Sequence, residues 1–223
     1  MVNLKRRKGS INVEMHLLKN KWSVKHIPIK MAKPFVNKWH YAHGTSVTAV
    51  SVFGLFFNGD STLHGVSWWM PPPLGAAKSI SDDHSSVLSL SRFCLRNDRP
   101  ENAGSFLISK SIKMLDKRWK KLLTYADTAF KHTGGLYRAS NWDYAGLTKK
   151  NPMYYDPINE RIVSRKKGPN TFNKKQMIEK GFVYKGSFEK HRFVYPLFNR
   201  SRARYNDFEL FFTENGKIKG NKK

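Results

Sequence analysis

The sequence predicts a mixed α/β (α+β) fold, with a mostly antiparallel sheet flanked by helices. Three observations predict it. Short alternating apolar runs recur between turn signals, stretches with helical apolar spacing lie among them, and a hydrophobic content of 39% with 13% aromatics supplies a globular core. At 223 residues one domain is expected, residues 21–198, between a basic N-terminal arm (1–20) and a basic C-terminal tail (199–223).

The first element is "WSVKHIPI", which alternates as a half-buried strand does. "KMAKPFVNKWHYAHG" follows as a helix with Met31, Phe35 and Trp39 on its inner side. "VTAVSVFGLFF" and "TLHGVSWWM" flank the turn signal "NGDS" and predict a β-hairpin, which "PPPLG" ends. "SVLSLSRFCL" is the next strand. After "RNDRPENAG", the 4-3-4-3 spacing of Ile108, Ile112, Leu115, Trp119 and Leu122 predicts a helix packed on the sheet. Its outer row, Lys110, Lys113, Lys117 and Lys120, is a solvated face or a track for phosphates. "LLTYAD" is a strand and "GLYRASNWDYAGL" a helix that breaks at Gly146. "YYDPINERIV" predicts a hairpin, "NKKQMIEKGF" a short helix and "GFVYKGSFEKHRFVYPLF" a closing pair of strands.

Charge narrows the function. Against 41 Lys and Arg stand 16 Asp and Glu, a formal net charge of +25, and Glu14 and Asp60 are the only acids before Asp82. Such a balance implies a polyanionic partner, with nucleic acid favoured over membrane or acidic protein. No apolar run approaches the roughly 18 residues of a membrane span, and "MVNLKRRKGS" leads into polar residues rather than a signal core, so a soluble intracellular protein is expected. Cys94 is the single cysteine, which excludes an intrachain disulfide and a cysteine zinc site; its place in an alternating run predicts a packed thiol. His40 and His43 lie one helical turn apart without a third ligand nearby, so no metal is expected.

Four stretches, "LSRFCL", "PENAGS", "TYADTAFKHTGGLYRASNWDYAG" and "KHRFVYPL", occur in an order that resembles the Mom-like DNA (adenine) modification proteins of bacteriophages. These are relatives of the GCN5-type N-acetyltransferases, and the resemblance runs from about Trp39 to Phe198. It implies an acetyltransferase-like catalytic domain that attaches a carbamoylmethyl group to the exocyclic amine of adenine in DNA. It also implies protection of that DNA from restriction, in the cytoplasm of the phage-infected host. Two rivals are an acyltransferase acting on an aminated hypermodified pyrimidine or another amine, and a non-enzymatic phage DNA-binding protein.

The resemblance assigns Asp127 and Tyr137 to the active site. A carboxylate there could take the proton an attacking amine must lose, and a phenol could protonate the leaving group. A turn cap is the plainer reading of Asp127, and core packing that of Tyr137. Arg92, placed by alternation on one face with Ser86, Leu88, Leu90 and Cys94, needs an anionic partner, either substrate or Asp127.

General acetyltransferases carry Arg-x-x-Gly-x-Gly/Ala after the fourth strand, where backbone N–H groups bind the coenzyme A pyrophosphate. Here the segment is "RNDRPENAGS", so the donor stays open, acetyl-CoA or a related acyl donor being one option. Its candidate ligands are Arg96, Asn102, Gly104 and Ser105, although capping is the plainer reading of Asn102 and Ser105. Tyr41, Lys131, His132, Arg138, Trp142, His191 and Arg192 are the expected contacts to double-stranded DNA with an extruded base. Trp142 or Tyr41 would stack on that base. Trp68 or Trp69 could do the same, although one of the two should face the core.

Overall fold

The computed structural model describes residues 17–45, 48–167 and 170–197, so the basic tail and nearly all of the N-terminal arm lie outside the described residues. In chain order, β1 (Trp22–His26) leads into α1 (Ile29–Trp39), the hairpin β2 (Ser51–Phe57) and β3 (Leu63–Met70), and the short α2 (Leu74–Lys78). Next come β4 (Val87–Leu95), α3 (Ala103–Met114), β5 (Lys121–Asp127), α4 (Gly135–Ala139) and β6 (Asp143–Leu147). The hairpin β7 (Asn151–Asp156) and β8 (Arg161–Val163) follows, then the two-residue strands β9 (Lys166–Lys167) and β10 (Asn170–Thr171). The described chain ends with α5 (Lys174–Glu179), β11 (Val183–Phe188) and β12 (Lys190–Pro196).

Seven strands form one sheet in the order β1-β2-β3-β4-β5-β12-β6, in which β4 and β5 are parallel and the other neighbours antiparallel. Helices cover both faces. Ile108 of α3 packs with Phe53, Trp69, Leu88 and Leu90 on one face, while Ala32 and Val36 of α1 pack with Val52, Val66, Trp68 and Cys94 on the other. Burial on both faces explains the near-continuous apolar runs of β2 and β3. It also overturns the expectation for the tryptophan pair: Trp68 and Trp69 are both 0% exposed, so neither offers a face to a base.

Five stretches depart from the sequence reading. In α1 the buried stripe is Ala32, Phe35 and Val36, while Met31 is 48% exposed. Steps of four residues drift about 40° each around a helix, so Met31 leaves the face on which Phe35 and Trp39 pack. The helix α3 stops at Met114, because Leu115 is extended (ψ 150°) and Asp116 organises a turn by accepting from the Arg118 N–H at 2.8 Å. Trp119 and Leu122 reach the same core from that turn and from β5, which mimics continued helical spacing. Lys117 and Lys120 therefore leave the predicted lysine row, and Lys120 pairs with Asp83 at 2.8 Å.

The stretch from Gly135 to Leu147 is a five-residue helix and a strand, not one helix. Asn141 turns the chain at φ 61°, and Gly146, at φ 82°, sits where β6 bulges against β12. The two last strands both form but join different sheets, since the single residue Glu189 between them cannot make a hairpin turn. β12 inserts between β5 and β6, and β11 completes a three-stranded sheet of order β11-β7-β8.

β4 itself carries a bulge. Trp68 faces Arg92 and the next residue, Trp69, faces Leu90, so Ser91 is the extra residue. The insertion reverses the inward face: Leu88 and Leu90 point to the α3 side, whereas Cys94 packs on the α1 side. The alternation that put Arg92 with Leu88 and Leu90 fails at this residue.

Candidate active site

β4 and β5 pair only from Val87 to Ser89 and Lys121 to Leu123, then part. At the fork the Thr124 hydroxyl donates to the Leu90 carbonyl at 3.2 Å, and the Tyr137 hydroxyl hydrogen-bonds to Thr124. The Tyr137 ring packs on Phe193 (5.4 Å between centroids) and Trp142 (5.8 Å). Burial raises the Tyr137 phenol above its ordinary range, with the Thr124 bond opposing in part, so it holds its proton at neutral pH. Gly134 starts α4 at φ 76°, and a Cβ there would collide with the Phe193 ring.

Asp127 ends β5 and is 2% exposed. Its Oδ1 accepts from the Ala129 N–H at 3.1 Å, capping the 3₁₀ turn Thr128–Phe130. Its Oδ2 lies 2.8 Å from Nζ of Lys190, the residue opposite it on β12. Lys190, rather than Arg92, is thus the counter-ion of Asp127. Arg92 donates through Nε to the Gly44 carbonyl and through Nη1 to the Ser91 carbonyl, both at 2.8 Å. Among the described residues it has no carboxylate partner. Burial lowers its pKa, against the influence of Tyr41 and Cys94.

Tyr41 feels the charge of all three groups. Burial raises the Tyr41 phenol most, Asp127 and Tyr137 raise it further, and Arg92 opposes them, so all three lie within electrostatic reach of one hydroxyl. The ring sits against His40 (4.3 Å), Phe130 (4.2 Å) and His132 (5.1 Å). Burial first, then Arg92, holds the His40 imidazole down at about 3, so it is neutral; its Nδ1 accepts from the Ala42 N–H. Nδ1 of His43 is 2.8 Å from the Asn37 carbonyl. Among the described residues no three His, Cys, Asp or Glu side chains are grouped to hold a metal. Cys94 is packed, and burial pushes its thiol up to about 12.

A cavity of about 840 Å³ opens beside this cluster. Tyr41, Phe130, Tyr155 and Phe188 give it aromatic walls, and Arg161 and Lys185 charge its rim. Sequence reasoning passed over Tyr155, Arg161 and Lys185 because they sit on the small sheet; the aromatic pair and basic residue of "YYDPINER" were the available signal. A second cavity of about 420 Å³ is lined by Arg92, Arg161, Lys166 and Lys180 with no acid among its walls.

The expected donor ligands lie at the start of α3. Asn102, at φ 64°, is the residue before the helix, and the Ser105 hydroxyl donates to its carbonyl at 3.1 Å. Arg96 is engaged by both carboxylate oxygens of Asp98, at 2.8 and 2.6 Å. Gly104 is buried where a Cβ would lie 2.8 Å from Leu136 Cδ1, so close packing of α3 on α4 accounts for this glycine.

Of the expected DNA contacts, Lys131 and His132 are exposed on the loop after β5, and Arg138 is exposed over the rings of Tyr144 and Phe193. His191 Nδ1 is 3.1 Å from the Tyr144 hydroxyl, and Arg192 donates to the Ala145 carbonyl and to Ser79. Trp142 must be corrected: at 4% exposed, between Trp69, Tyr137 and Tyr195, it is a core residue and cannot stack on a base.

Residues 21–211 match the model of the Mom protein family. The chain belongs to that family. A relative within reach of sequence comparison is the methylcarbamoylase mom of Escherichia phage Mu, 26% identical over 187 residues, covering 79% of this chain and 76% of the relative. Among solved structures, the Mom-family chain is similar to an N-acetyltransferase from Staphylococcus aureus (TM-score 0.47, 16% identity, 80% of this chain and 99% of that one). It is also similar to a spermidine N-acetyltransferase from Vibrio cholerae in complex with CoA and spermine (TM-score 0.47, 8% identity, 79% and 96%). Its fold rests on its own topology, the mostly antiparallel sheet with one parallel, forked strand pair.

Proposed function

We propose that this Mom-family enzyme attaches a carbamoylmethyl group to the exocyclic amine of adenine in DNA and so protects that DNA from restriction. The observation that carries the reading is the buried carboxylate of Asp127, held by Lys190 and Ala129 at the end of β5, next to a cavity of about 840 Å³ whose aromatic walls include Tyr41 and Phe130. The name of the phage Mu relative supports the group transferred, and the +25 charge supports the polyanionic substrate.

Adenine presents its amine only when the base has left the duplex, and the cavity receives it, with Tyr41 or Phe130 against the ring. The amine lone pair forms a bond to the reacting carbon of an activated small-molecule donor. The bond from that carbon to the leaving group breaks as it forms. The amine proton passes to Asp127, held in place by Lys190 and Ala129, and the Tyr137 hydroxyl gives its proton to the leaving group. Proton exchange with solvent restores both residues. The donor carries the methylene carbon of the carbamoylmethyl group on its leaving group, because a plain acyl thioester would yield an amide instead, and it is bound where Asn102 and Ser105 open α3 and unpaired N–H groups favour an anion. Lys131, His132 and Arg138 hold the DNA backbone, and the enzyme works in the cytoplasm of the infected bacterium.

Mass spectrometry of nucleosides from plasmid DNA co-expressed with the protein tests the reading. Carbamoylmethylated deoxyadenosine is the expected product. A modified pyrimidine would replace adenine by the rival substrate, and unmodified DNA beside intact binding would reduce the protein to a DNA-binding one.

A further inference from the structure

We propose that the β7–β8 hairpin opens the duplex, and that Ile158 at its tip is the wedge that fills the place of the extruded base. The proposal rests on the reading that the substrate is a base taken out of the duplex. Ile158 is 89% exposed, the most exposed large hydrophobic side chain among the described residues. A lone exposed isoleucine is ordinary on any surface. Three features set this one apart.

The first is rigidity. Asp156 is buried at the base of the turn; its Oδ1 accepts from the Ile158 N–H at 3.1 Å and the Asn159 N–H at 3.2 Å, and its Oδ2 accepts from Asn159 Nδ2 at 2.8 Å. Pro157 further restricts the backbone, and the β-branch of isoleucine stiffens the side chain itself. The tip is therefore an apolar point on a firm mount. A loop that merely tolerated an exposed isoleucine would not need its main chain fixed at this residue.

The second is position. Asn159, Glu160 and Arg161, the next three residues, line the aromatic cavity. Wedge and receptacle belong to one short segment, so a base displaced at the tip has its acceptor beside it. The third is the opposite side of the same strand. Arg161 and Ile162 line both cavities, and the smaller one adds Arg92, Lys166 and Lys180. There Arg92 Nε and Nη1 are held by main-chain carbonyls while Nη2 takes part in neither bond, and the Thr45 hydroxyl is buried without a partner among the described residues. A phosphate of the distorted strand meets these donors while its base enters the larger cavity. Apolar side chains, isoleucine among them, are inserted between base steps by proteins that kink DNA, since they replace lost stacking without demanding hydrogen bonds.

The test uses the full chain and a panel of short duplexes, each carrying 2-aminopurine in place of one adenine. Binding of the wild-type protein should raise the fluorescence of at least one duplex as the probe leaves the stack. Ile158→Ala should cut that rise by about tenfold while overall affinity changes less than about twofold, because phosphate contacts are untouched. Ile158→Leu should restore it, and a duplex with an abasic site opposite the probe should show the rise even with Ile158→Ala. At its exposure neither change should move the melting temperature. Modified adenine without any fluorescence rise, or a rise undiminished in Ile158→Ala, overturns the wedge and leaves the proposed activity standing. A rise that depends on Ile158, without modified adenine in co-expressed plasmid, upholds the wedge and removes the activity.

Discussion

Tyr137 and Asp127 make separable demands on experiment. Tyr137→Phe keeps the ring against Phe193 and Trp142 and removes only the hydroxyl on Thr124, so folding and DNA binding should persist. The yield of modified adenine, read by mass spectrometry, should fall by about a hundredfold to ten-thousandfold. Asp127→Asn should act similarly, and the double change should be less than additive if both serve one step. His40 makes a pH prediction. Its folded pKa of about 3 lies below the ordinary 6.5, so the stability from burying it neutral is fully present above about pH 6.5 and is lost as pH falls toward 3. Urea midpoints should decline over that window, and His40→Gln should flatten the decline. These residues were unequally legible in the sequence. Asp127 and Tyr137 stand in a motif with a family behind it. Trp142 was misjudged because an aromatic side chain suits a core as well as a base, and sequence spacing does not say which it meets.

At the scale of elements, local rules read well until two elements fed one core. The hairpin of β2 and β3 and the capping box of α5, where Asn173 and Gln176 bond reciprocally at 3.0 and 2.9 Å, follow from turn and cap chemistry alone. The end of α3 was hidden because Trp119 and Leu122 continue its apolar spacing from a turn and a strand. The reversal of β4 at Ser91 was hidden because an inserted residue leaves no mark in an alternating pattern. The start of α4 depends on Gly134, whose φ of 76° and contact with Phe193 both exclude a side chain. Gly134→Ala should cost about 2–4 kcal/mol, read by urea denaturation, combining left-handed strain with overpacking. The surviving fraction should lose activity through the displacement of Tyr137, three residues on.

For the whole molecule, a charge of +25 should make affinity for the proposed DNA substrate depend on released counter-ions. If about six or more phosphates are neutralised, affinity should fall on the order of a thousandfold between low and moderate salt, and a flat titration would show that contacts of another kind dominate. Removing residues after Asn199 should weaken binding while leaving the thermal transition in place. The order of the sheet has one more consequence, for the timing of synthesis. β12 contributes Lys190 to Asp127 and seals the space between β5 and β6, yet among the described strands it is the last to leave the ribosome. A nascent chain can assemble β1 to β5 and still lack both the ladder that β5 needs and the cation that anchors its carboxylate. Both the ladder and the Lys190–Asp127 pair therefore arrive only with β12, and a polypeptide cut short before residue 190 should give no modified DNA when co-expressed with a plasmid.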